Sequence, residues 1–143
     1  MVRKIIIPGQ PVGKARPRMT KSGHVYTPSE TKAYEARVKS CYLTQSGLPP
    51  IPAGHPVSVG MIAYFPINKG DSKTRRERKL KGYEMPTKKP DLDNILKIVL
   101  DGLQGEDGAF EDDCQVIFTT CAKLYDAVPR VELSITELMP PDC

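Results

Sequence analysis

No stretch of this 143-residue sequence approaches the roughly 20 consecutive apolar residues needed to cross a bilayer, so a membrane-spanning helix is excluded. The opening Met1-Val2-Arg3-Lys4-Ile5-Ile6-Ile7-Pro8 lacks the long apolar stretch and cleavage site of a secretory leader, and a cytoplasmic protein is expected. Cysteine is sparse: Cys41, Cys114, Cys121 and Cys143 form no C-x-x-C pair, and only His24 and His55 are present to join them. Those spacings exclude the usual zinc sites. In a reducing compartment no disulfide is expected; Cys41, Cys114 and Cys121 read as small buried apolar residues and Cys143 as a frayed terminus. There is no internal repeat and no low-complexity tract. A composition of 39% hydrophobic and 27% charged residues excludes wholesale disorder even with 14 prolines.

What is present suits one domain, residues 1–143, built around one core. A short strand is expected around Lys4 to Pro8, broken by Pro8-Gly9. Thr27-Pro28-Ser29-Glu30 predicts a helix start with Thr27 as N-cap and Glu30 completing a capping box. Tyr34, Val38, Cys41 and Tyr42 supply the buried stripe, and Gly47 ahead of Pro49 and Pro50 ends it. A strand follows from about Pro56 to Phe65. A second helix is expected from Asp91, with Leu92, Ile95, Leu96, Val99, Leu100 and Leu103 on one face and Gly105 beyond its end. Asp93, Asn94, Lys97 and Asp101 fall within about 100° on the other side. Alternating stretches at about Gln115–Leu124 and Arg130–Leu138 predict a terminal hairpin turning at Asp126–Pro129. The expected fold class is α/β, of the mixed α+β kind: a mixed sheet in the order β-α-β-α-β-β with two helices packed on it.

Charge is uneven. Between Pro66 and Lys89 nine lysines and arginines face only Asp71, Glu77 and Glu84, whereas the whole chain carries a formal charge of +4. A run of this kind is commonly a solvated loop, and a loop is expected at about 66–89. It directly precedes an acidic motif, and it can hold a polyanion that the acids alone would repel.

Asp91 and Asp93, two apart where the chain enters a helix, place hard oxygen ligands at the positive end of the helix dipole. By itself the pair is also what an N-cap and a first-turn acid look like. Lys97 lies one turn on, where an ammonium can pair with Asp93, reach a phosphate or stabilise a leaving oxygen. Glu111-Asp112-Asp113, just before a strand, would repel one another unless solvated or bridged by a cation. A Mg²⁺ ion relieves that repulsion while gripping a phosphate oxygen. Acids for a metal, a lysine for phosphate and a basic approach together point to phosphodiester hydrolysis.

Lys89-Pro90-Asp91-Leu92-Asp93-Asn94-Ile95-Leu96-Lys97, then Asp101-Gly102-Leu103, then Glu111-Asp112-Asp113-Cys114-Gln115-Val116 resembles the RusA family of Holliday junction resolvases. Upstream, Gly13-Lys14-Ala15-Arg16-Pro17-Arg18 and His24-Val25-Tyr26-Thr27-Pro28 are similar to the phage- and prophage-type branch of that family. The resemblance spans roughly residues 4 to 138. It implies a homodimeric, Mg²⁺-dependent endodeoxyribonuclease, with Mn²⁺ substituting, that resolves four-way DNA junctions by paired nicks in a bacterial cytoplasm and needs no organic cofactor. It further implies that Asp91, Asp93 and Asp113 are the catalytic and metal-binding acids and Lys97 the catalytic lysine. Of Asp112 and Asp113 only one should reach the metal, since successive strand residues point to opposite faces. Asn94 reads as orienting a carboxylate or capping the helix. Lys14, Arg16, Arg18, Arg75, Arg76, Lys88 and Lys89 are the expected DNA contacts, Tyr26 is expected in the core, and His24 has no assigned role. The long basic insertion departs from the founding members and carries no junction or cleavage-sequence preference with it. The competing readings are a related nuclease for other branched or flapped DNA and a non-catalytic DNA-binding module.

Overall fold

The computed structural model describes residues 1–138, so Cys143 lies outside the described residues. Two strand-forming stretches at opposite ends of the chain meet first: β1 (Val2–Pro8) pairs antiparallel with β6 (Arg130–Glu137). β6 in turn pairs antiparallel with β4 (Val57–Phe65), and β4 pairs parallel with β5 (Val116–Tyr125), giving the order β1-β6-β4-β5. The sheet is therefore mixed, and the chain is a single α+β domain.

The strict alternation along β4 decides which face is covered. Val57, Val59, Met61, Ala63 and Phe65 are buried, and Ile5, Ile7, Val131, Leu133 and Ile135 join them from the flanking strands. Onto this face pack α1 (Ser29–Gln45), through Tyr34, Val38 and Tyr42, and α3 (Leu92–Leu103), through Ile95, Ile98, Val99 and Leu103. Each fully buried aliphatic side chain of this kind stabilises the fold by about 1.5–3 kcal/mol relative to exposure. Gly102 lets the two helices touch, because a Cβ there would meet the Val38 Cβ at 2.7 Å and the Glu35 carbonyl at 2.9 Å.

Five expectations are corrected. β5 and β6 do not form a hairpin; β4 lies between them, and Asp126–Pro129 carries the chain across the end of β4, where Asp126 N–H donates to the Phe65 carbonyl at 3.0 Å. The 66–89 segment is not simply a loop, since it contains α2 (Lys73–Leu80), capped by Ser72, whose hydroxyl accepts from Arg75 N–H. That makes three helices instead of two. At α1 the capping residue is Pro28, not Thr27, and no side chain caps the helix; the one-residue shift takes the Thr27 hydroxyl out of the capping position. Cys114 is exposed because it sits in a turn ahead of β5, while Cys41 and Cys121 are half-buried against the core. Finally, Tyr26 is exposed: it belongs to a two-stranded ribbon, β2 (Arg18–Met19) with β3 (Val25–Tyr26), that pairs only with itself.

Candidate active site

The parallel β4–β5 pair requires a long crossover, and residues 66–115 are that crossover. Its second half holds the acidic motif. α3 opens at Asp91, which has extended backbone (φ −67°, ψ 147°) but does not cap the helix with its carboxylate. Among the described residues Asp93 accepts only the N–H of its neighbour Asn94, at 3.0 Å. Both carboxylates are exposed at the N-terminal end of the helix. Lys97 lies one helical turn beyond Asp93 and, among the described residues, forms no ion pair with it. Its ammonium lies 3.1 Å from Asp101 Oδ1, one turn on, and 3.5 Å from Asp113 Oδ2 across the crossover. The hydrogen bond to Asp101, with smaller help from the charges of Asp101 and Asp113, raises the Lys97 pKa above its ordinary value.

Of the three consecutive acids, two are committed elsewhere. Glu111 Oε2 accepts the Ala53 N–H at 2.8 Å. Asp112 Oδ1 accepts the Cys114 N–H at 2.9 Å, which holds the Asp112 carboxyl below its usual range, and the hydrogen bond of the Cys114 thiol itself to Asp112 raises the thiol. Asp113 alone presents its carboxylate to Lys97.

The turn that aims Asp113 is built by two glutamines. Gln115 is buried; its Oε1 accepts the N–H groups of Glu111 and Asp112, both at 3.0 Å. Its Nε2 donates to the carbonyls of Pro52 and His55 at 2.8 and 3.0 Å. Gln104, at the end of α3, accepts the Asp113 N–H on Oε1 at 3.0 Å. Lys123 of β5 fixes the other end of the crossover by donating to the carbonyls of Lys88 and Pro90 at 2.7 and 2.9 Å. Gly13 lies so close to the start of α3 that a Cβ would meet the Pro90 Cβ at 2.7 Å, and the next residue, Lys14, donates its N–H to the Asn94 carbonyl at 2.9 Å.

The structure thus joins Lys97 to Asp113 and adds Asp101, Gln104, Gln115 and Lys123, which the sequence reading did not assign to the site. Asp101 and Gln115 did lie inside the quoted motifs, so their position was visible although their contacts were not. Asp91, Asp93 and Asp113 are not drawn into a closed cage: among the described residues no three His, Cys, Asp or Glu side chains are grouped to hold a metal.

The expected DNA contacts divide into two kinds. Lys14 is paired with Glu35 and, at 3.0 Å, with Asp101 Oδ2; burial works against its charge, but these partners raise its pKa overall. Arg75 pairs with Glu84 at 2.8 Å, and Arg76 donates to the Lys69 carbonyl at 3.0 Å. By contrast Arg16, Arg18, Lys88 and Lys89 are exposed and, among the described residues, make no ion pair.

Comparison with known proteins places this geometry in a family. The chain is 34% identical over 140 residues to the "Uncharacterized protein YqaN" of Bacillus subtilis (strain 168), a match covering 94% of this chain and 96% of that protein. Residues 8–136 match the family model described as Endodeoxyribonuclease RusA. Because that match runs across nearly the whole domain, the chain belongs to the RusA endodeoxyribonuclease family.

Proposed function

We propose that the chain is a Mg²⁺-dependent endodeoxyribonuclease that resolves four-way DNA junctions in the bacterial cytoplasm, acting as a homodimer that makes one nick per subunit. The observation that carries this reading is the approach of Lys97 to Asp113 at 3.5 Å from separate elements, one helical turn beyond Asp93. An ammonium held there stabilises charge developing on phosphate oxygens. Asp91, Asp93 and Asp113 are the residues that would hold the metal. Their donor chemistry fits, since all three offer hard oxygens, Asp91 is not used as a cap and Asp93 serves one neighbouring N–H. Mg²⁺, or Mn²⁺ in its place, supplies an activated water and a clamp on the phosphate. Arg16, Arg18, Lys88 and Lys89 hold the DNA backbone, and a two-fold dimer matches the two-fold symmetry of the junction.

The test is cleavage of a synthetic four-way junction beside flap and linear duplex controls. Symmetric paired nicks on the junction in Mg²⁺, with binding but no turnover in Ca²⁺, are the expected result. Preferred cutting of the flap would make this a nuclease for a different branched DNA. Junction binding with no cutting in either metal would leave a non-catalytic DNA-binding module.

A further inference from the structure

Lys97 is more than half exposed, and a lysine side chain in that setting samples many rotamers. Here it meets a carboxylate that is itself fixed. Asp101 has a side chain only 13% exposed and divides its two oxygens, Oδ1 to Lys97 at 3.1 Å and Oδ2 to Lys14 at 3.0 Å. Lys14 is clamped from its other side by Glu35 of α1. Its backbone is tied to α3 by the bond from Lys14 N–H to the Asn94 carbonyl. Glu35, Lys14, Asp101, Lys97 and Asp113 thus alternate in sign along one line of contacts drawn from α1, the N-terminal arm, α3 and the turn before β5.

We propose that Asp101 is a positioning residue that aims Lys97, with Lys14 and Glu35 bracing it from behind; the role given to Lys97 rests on the nuclease reading above. An ordinary surface pair one helical turn apart would leave both side chains free to swing. Rotating Asp101 toward solvent would break its contact with Lys14, which opposes that swing. The arrangement also changes the task of Lys14: with both Glu35 and Asp101 on its ammonium, it serves the site instead of a DNA phosphate.

The test uses the full chain and the synthetic junction at saturating protein. Asp101→Asn is expected to lower the single-turnover rate by roughly 10²-fold, the scale set by a misplaced catalytic group, with junction affinity in Ca²⁺ unchanged. Asp101→Glu restores most of the rate. On a Lys97→Ala background Asp101→Asn costs nothing further, since a residue acting through Lys97 has no effect once Lys97 is gone. Lys14→Met lowers the rate without altering the salt dependence of binding, whereas a phosphate contact would reduce that slope by about 1. Carbon-13 relaxation at the Lys97 ε-methylene reads its order without DNA or metal, and Asp101→Asn should lower that order. Wild-type rate in Asp101→Asn, a further loss on the Lys97→Ala background, or an unchanged Lys97 order would overturn the proposal. A wild-type chain that does not nick the junction would defeat the nuclease reading instead, and the relaxation measurement still decides the brace.

Discussion

Gln104 accepts the backbone N–H of Asp113 at 3.0 Å, so the last residue of the α3 cap fixes the acid that faces Lys97. A single neutral hydrogen bond of this kind contributes about 0.5–1.5 kcal/mol. Gln104→Ala should therefore lower the thermal midpoint by only a few degrees while reducing junction cleavage about tenfold, since the larger loss falls on the placement of Asp113. Parallel melting and single-turnover assays check it, and equal loss in both would refute the assignment.

Asp93→Asn keeps the shape of the side chain and removes its charge. Cutting should disappear almost entirely while junction binding is kept or tightened, because one source of repulsion toward phosphate is gone. A gel-shift assay beside a nicking assay measures both. Undiminished nicking would show that Asp93 serves only the first turn of α3.

The salt dependence of binding separates free cations from committed ones. Lys88→Ala with Lys89→Ala should lower the slope of log affinity against log salt by about 2, as two phosphate contacts are lost. Arg75→Ala should leave that slope alone and lower the thermal midpoint, because Arg75 is held by Glu84 and Asp71.

Lys79 and Asp71 form the anchor of the basic segment, 2.5 Å apart with side chains almost wholly out of solvent, and the Lys79 ammonium stands 4.6 Å from the centre of the Tyr125 ring. The hydrogen bond from Lys79 holds the Asp71 carboxyl below its ordinary value of 3.8. A depressed folded-state pKa contributes stability that is complete above the unfolded value and is lost as pH falls through the folded one. Wild-type protein should thus shed this contribution only below about pH 3.8. Asp71→Asn should melt lower than wild type at neutral pH, with the gap closing in acid. A gap that stays constant with pH would contradict the pairing.

Gly102→Ala probes the contact between α1 and α3. The added methyl would press on the Val38 Cβ and the Glu35 carbonyl, which lie 2.7 and 2.9 Å from its position. Forcing an atom into a packed interface costs about 1–3 kcal/mol, although alanine is the better helix former. Urea denaturation should show the loss.

Where the chain writes its structure in apolar spacing, that structure was legible. Ile95, Val99 and Leu103 marked α3, Val57, Val59 and Met61 marked β4, and Asp91 marked the first turn. α2 was hidden because Lys73–Leu80 has no apolar stripe to read; Lys79 docks it through charge and an aromatic face instead. The false hairpin has a different cause. Alternation in residues 116–137 identifies strands without naming their partners, and β5 found β4 by a parallel register, with Met61 opposite Cys121. In the site, the residue types were visible in the motifs, whereas the commitments were not. That Glu111 caps Ala53 and Lys14 grips Glu35 depends on segments 58 and 21 residues apart in the chain.

β6 lies between β1 and β4, although among the described residues it is the strand synthesised last. While the polypeptide is still emerging, β1 has nothing to pair with and β4 has only β5, so the sheet stays divided into two parts with open edges. Closure waits for the segment from Arg130 onward, a contact between distant parts of the chain that slows folding. A message cut short before that segment would yield a protein with its acidic motif intact and its first strand adrift.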